Sequence, residues 1–389
     1  MVLMKLNFRS LAFLYLFSFF ANLLVGMVLL GLPLFAIHLG AGNIQLGIIG
    51  TLGSLAYVLF VPFSGWLSDR IPRNLQAGAG AVLFGALLLV IPFVPTLTWI
   101  YPLVALYLIA TALIWPALES ALCGFSGGVA LARSAGWFNV SWSSGATLGF
   151  LLAGLLYSRG PGLVFWLAGG LSIVLGLAFS SLFRAAGCKE QQGGQTRSGS
   201  VYLLYLSWLS NGMVYFVFNI LRNIFPRLAE SLGFSSADLG MLLLCLSLAQ
   251  TVLFVVLNLT SRWHFKFWPI VVALLSTFAG LLIVVFADSL AGFAIGFLLI
   301  GASGGVTYSA SLYYAVSLES SIAGSRSGWH EFYLGAGAFS GPLIGGLLAH
   351  YLGPKSPYAV SAILVVILIF AQVFYFRLIA AGPKIQSSS

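Results

Sequence analysis

The fold class the sequence predicts is all-α and integral to a membrane, with twelve spanning helices arranged as two six-helix bundles. Three observations predict it. Of 389 residues, 60% are hydrophobic and only 6% are charged, whereas soluble domains carry about 25% charged residues. The apolar residues fall into runs of roughly 20 or more, the length a helix needs to cross a bilayer. The second half of the chain also repeats small features of the first at a similar spacing.

In chain order the predicted spans are 11–37, 45–67, 75–95, 99–122, 130–157, 162–183, 201–228, 236–258, 267–287, 290–316, 328–351 and 358–378. The first run is far longer than the roughly 7–15-residue core of a signal peptide, so it is expected to remain as a span. The loops are short, which makes successive helices antiparallel. Only 184–200 (RAAGCKEQQGGQTRSGS) reads as a polar, glycine-rich linker. It divides an N-terminal bundle, 1–183, from a C-terminal bundle, 201–389. With the N-terminus placed in the cytoplasm, 13 of the 17 Lys and Arg residues fall inside, leaving Arg159, Arg222, Arg227 and Lys355 outside. That bias predicts a multi-pass protein of the inner (plasma) membrane with both termini cytoplasmic. It also accounts for the +9 net charge without a nucleic-acid partner. Cys123, Cys188 and Cys245 have neither metal-like spacing nor an even count, so no disulfide framework is expected.

The repeat is specific. Gly136-Trp137 recurs as Gly328-Trp329, 192 residues on, and Gly145, Gly149 and Gly154 land on Gly337, Gly341 and Gly346. Leu32-Pro33 corresponds to Phe225-Pro226, 193 residues on, and Leu118-Glu119-Ser120 recurs as Leu318-Glu319-Ser320. Two halves of like orientation are one of the duplications found in membrane transporters.

Between the second and third spans lies Gly65-Trp-Leu-Ser-Asp-Arg-Ile-Pro-Arg-Asn74. It closely resembles the loop signature of major facilitator superfamily transporters, G-x-L-[AS]-D-R-x-G-R-[RK], and departs from it at Pro72 and Asn74. The resemblance implies secondary transport of a small solute by alternating access, with cytoplasmic charges that latch one face. The candidate gating set is Asp69, Arg70, Arg73, Glu119 and Arg133 in the first half and Arg262, Glu319 and Arg326 in the second. These charges read equally as topology signals. Gly337-x-x-x-Gly341-Pro342-x-x-Gly345-Gly346 matches a motif of the family's antiporters, where it lies in helix 5 rather than helix 11. Its plainer reading is close helix packing.

Asn211, Tyr215, Asn219 and Arg222 share an arc of about 80° on one helix face. The repeat maps them onto Ser18, Asn22, Gly26 and Leu29, with Tyr15 on the same face. Ser303, Thr307, Ser311 and Tyr314 form a further stripe, matched by Tyr107 and Thr111. Polar groups in a span should face protein or water, so these stripes are candidate substrate-binding residues or hydrogen-bonding glue between helices. Arg222 is either an anchor that snorkels to the outer surface or a cavity cation. His330-Glu331 is the adjacent titratable pair inside a span. It is a candidate proton-coupling site or a helix-start acid favoured by the helix dipole.

Gly301-x-x-Gly304-Gly305 lacks the Lys and Ser/Thr of a phosphate loop, and no nucleophile–base set appears. An enzyme is therefore not expected, nor a cofactor. The expected function is secondary transport by a monomer in the lipid bilayer, with H+ as the candidate coupling ion and export of hydrophobic or amphipathic compounds. An organic-anion or sugar carrier of the same fold is the alternative. A non-transporting membrane sensor is the alternative from another class.

Overall fold

The computed structural model describes residues 2–123, 129–183, 201–317 and 323–381, and the side chains of 10–122, 133–183, 201–315 and 329–379. Among these the chain is helical, in the order α1 (Val2–His38), α2 (Asn43–Ser68), α3 (Arg73–Val90), α4 (Ile100–Cys123), α5 (Val129–Tyr157), α6 (Pro161–Leu182), α7 (Val201–Asn223), α8 (Phe225–Ser231), α9 (Ser236–Leu259), α10 (Trp268–Phe286), α11 (Leu290–Ser317), α12 (Ala323–Tyr351) and α13 (Ser356–Ala381). Among the described residues, twelve helices are long and apolar enough to cross a membrane. The thirteenth, α8, is a product of the expected span 201–228 dividing in two. Pro226 stands in the first turn of α8; a proline there has no N–H to bond back into α7, so the ladder ends at Asn223. The proposed linker 184–200 lies outside the described residues.

Helices in hydrocarbon gain little from the hydrophobic effect when they associate, so close van der Waals approach must hold them together. Glycine supplies that approach, and it does so twice. A Cβ on Gly145 or Gly149 of α5 would overlap the Phe19 and Leu23 carbonyls of α1. A Cβ on Gly337 or Gly341 of α12 would overlap the Gly212 and Phe216 carbonyls of α7. All four contacts are repeat mates. Within the first half α1 packs on α5, α2 on α4 and α3 on α6; within the second α7 packs on α12, α9 on α11 and α10 on α13.

The same symmetry joins the halves, through α5 against α9 and α12 against α2. Gly154 meets Gly240 in the first interface and Gly346 meets Gly47 in the second. These contacts lie toward the ends of the helices away from the N-terminus, at the side of the 38–43 and 223–236 connections. There α1 also touches α7, α8 and α9, and Gly50 abuts Asn223 and Pro342. That side is sealed.

Candidate functional site

Below the seal, side chains from both halves converge on one interior cluster. Trp142 of α5 meets Phe254 of α9 and Tyr308 of α11 edge-on, with ring centroids 5.6 and 5.8 Å away. Tyr308 also meets Phe254 at 5.5 Å, Tyr215 of α7 at 6.1 Å and the His330 ring of α12 at 5.1 Å. His330 Nδ1 is 2.6 Å from Ser311 Oγ, while its Nε2 is buried without a hydrogen-bond partner. Glu331 Oε1 lies 3.8 Å from that nitrogen, too far for a hydrogen bond.

Two carboxylates face this cluster, one from each half. Glu119 of α4 and Glu331 of α12 lie within electrostatic reach of one another, and of Tyr57 on α2 and Tyr308. Glu119 is exposed and Glu331 is 35% exposed.

Arg222 stands at the sealed end of the same region, in the last turn of α7. Its guanidinium carbon lies 5.2 Å from the centre of the Phe218 ring and 5.7 Å from that of Phe150. Tyr215, two turns earlier on α7, feels the charge of both Arg222 and Glu331. The order along the interior is therefore cation, phenol, carboxylates.

The other residues of the polar stripes pack between helices. Tyr15 donates to the Ser134 carbonyl at 3.1 Å, Ser18 to Ser141 Oγ at 3.1 Å, and Asn22 to the Trp142 carbonyl at 2.8 Å, so this face of α1 lies on α5. Tyr107 packs on Phe84 of α3, and Thr111 donates to the Tyr107 carbonyl. Ser303 is 2.6 Å from Thr277 of α10, Thr307 donates to Asn211 Oδ1 at 3.5 Å, and Tyr314 donates to the Lys266 carbonyl. Asn219 donates within α7, to the Tyr215 carbonyl at 2.9 Å. Such bonds are what a polar side chain in hydrocarbon needs.

Of the charge set, Arg70 is exposed and lies 3.7 Å from the Trp66 ring of its own helix. Asp69 caps the C-terminus of α2, and no ion pair of Asp69 or Arg70 appears among the described residues. Arg73 is half-buried, and Arg133 and Arg262 are exposed. Glu319 and the Arg326 side chain lie outside the described residues. Behind the turn, Gln76 Nε2 bonds Ser64 Oγ at 2.9 Å and the Leu113 carbonyl at 3.3 Å, tying α2, α3 and α4 together.

Twelve membrane helices among the described residues, in two symmetry-related sets, together with the family match define a polytopic transporter rather than an enzyme. The sequence model of the Major Facilitator Superfamily matches residues 11–202 and 207–389, and the chain belongs to that superfamily. Among known structures it is similar to a bacterial homolog of the human lysosomal transporter Spinster, in an inward-facing and occupied conformation. The TM-score is 0.70 at 15% identity, over 96% of each chain. It is also similar to the nucleoside transporter NupG, with a TM-score of 0.75 at 14% identity over 94% of this chain and 100% of the other. At such identities the likeness is one of fold. No curated protein matches the chain.

Proposed function

We propose that this transporter couples proton movement to the passage of small amphipathic solutes through the space between its halves. The supporting observation is the Glu119–Glu331 pair, a carboxylate from each half facing one aromatic-lined interior. Two carboxylates within reach of one another repel when both are ionised, more strongly in a low-dielectric interior than in water. A proton on one of them relieves that repulsion. Rotation of the halves changes the separation of the pair, so proton occupancy and the position of the halves influence one another. His330, beside Glu331, is the candidate relay.

The rings of Trp142, Phe254, Tyr308 and Tyr215 supply the surface for an apolar solute body. Gly341 and Pro342 serve the packing of α12 on α7 and α2, so the motif around them supports no direction of transport. Net flux follows the imposed gradients. Asp69, Arg70 and Arg262, the repeat mate of Arg70, form the latch of the face bearing the termini, which the Lys and Arg bias assigns to the cytoplasm. With no ion pair among the described residues, Asp69 and Arg70 suit a conformation sealed at the other side.

The test is uptake into proteoliposomes of radiolabelled amphipathic compounds of positive, zero and negative charge, with and without an imposed pH gradient. Gradient-driven accumulation of at least one compound supports the reading. Equal uptake with and without the gradient for every transported compound removes proton coupling.

A further inference from the structure

We infer that Arg222 is an anion-binding subsite at the sealed end of the interior, and that the transported solute carries an anionic group on an aromatic or aliphatic body. This rests on the transport reading above and adds the chemistry of the solute.

Arg222 does not reach out along the helix axis as an anchor would. Its guanidinium lies between Phe218 of the second half and Phe150 of the first, so it is held where the halves meet. Its Nε is buried with no hydrogen-bond partner, and none of the ion pairs among the described residues includes Arg222. The terminal nitrogens make no hydrogen bond to the described residues either, and they are not among the buried unpartnered atoms. They therefore retain accessible surface, which on this reading borders the space between the halves.

A permanently charged group removed from bulk water is costly unless it is paired and hydrogen-bonded. Two aromatic faces offset part of that cost, but they accept none of the N–H donors. A carboxylate or similar oxyanion would satisfy both the charge and the fork of donors at once. The repeat points the same way. Leu29 stands at the mate of Arg222, so the fold places no cation there for symmetric or structural reasons. Next to the guanidinium, the Phe150 and Phe218 rings and then Tyr215 and Tyr308 form an aromatic wall suited to an apolar body.

The test is equilibrium binding to the purified full-length protein in lipid nanodiscs, at one pH and with no gradient. The probes are 4-phenylbutyrate and its primary amide, which match in shape and differ in charge. The native protein is expected to bind the carboxylate about tenfold or more tightly than the amide. Arg222→Gln should abolish that preference while keeping the native thermal unfolding midpoint. Arg222→Lys should restore part of it, because an ammonium supplies the charge without the planar fork. If Arg222→Gln fails to fold, the native and Arg222→Lys proteins carry the comparison. Equal affinity for the two probes, no saturable binding of either, or a preference retained in Arg222→Gln overturns the subsite. Because no proton gradient is present, the outcome is separable from the coupling reading. Loss of gradient-driven uptake with the charge preference intact removes only the coupling.

Discussion

His330 and Glu331 are neighbours in the chain but occupy different surroundings. Successive residues on a helix point about 100° apart, so His330 turns into the packing of α11, 1% exposed, while Glu331 is 35% exposed. The glutamate is thus the one able to exchange a proton with water. Glu331→Gln keeps size and hydrogen bonding but holds no charge. It should abolish the effect of a pH gradient on transport while leaving solute binding within about threefold of native, a difference under 1 kcal/mol. Proteoliposome uptake and equilibrium binding on the same preparation check this, and an unchanged gradient dependence would return Glu331 to a structural role. Tyr215, Arg222 and Glu331 could be picked out in the sequence because polar residues inside apolar runs are conspicuous. Tyr57, Trp142, Phe254 and Tyr308 could not, in a chain that is 15% aromatic. The repeat did not mark Trp142 either, since its mate is Leu334. Those two mates nevertheless pack in the same small cluster.

At the scale of elements, the glycine contacts between α5 and α1 and between α12 and α7 decide how near the helices come. The obstructing atoms are backbone carbonyls, which cannot turn aside, so an added methyl must push a whole helix away. Gly341→Ala should destabilise the protein by about 1–3 kcal/mol, the usual range for overpacking. Gly170→Ala, where nothing lies within 4 Å of the added carbon, should be near neutral. Thermal unfolding in detergent checks the pair, and equal effects at both positions would rule out the packing account. The α2–α3 turn makes a different prediction, because Asp69 is exposed and its loss removes no packing. Asp69→Asn should reach the membrane at native levels and transport several-fold more slowly, since a partly exposed latch is worth only up to about 1 kcal/mol. Transport at the native rate would remove Asp69 from the latch.

For the whole molecule, the antiparallel order of the twelve spans puts Asn43 and Ser261 on opposite faces. In a background with Cys123, Cys188 and Cys245 replaced, single cysteines at these two positions should be labelled by an impermeant thiol reagent from opposite sides. The positive-charge bias assigns Asn43 to the outside of intact cells. Labelling of both from one side would contradict the topology.

Span number, order and repeat were legible in the sequence because the bilayer demands runs of about 20 apolar residues whatever they pack against. The family resemblance was legible because ten residues of one short turn carry it. The break before Pro226 is not legible in the sequence, where 201–228 reads as one span, since proline can also continue a membrane helix, as Pro33 does. What the tertiary structure alone decided is which face of each helix meets which neighbour. A polar stripe looks the same in sequence whether it bonds a neighbouring helix or borders an interior space. The stripe of Tyr15, Ser18 and Asn22 went to α5, whereas Arg222 lies beside rings from both halves. Helix rotation and the mating of the two halves are set by packing among residues some 200 positions apart, and no local pattern encodes them.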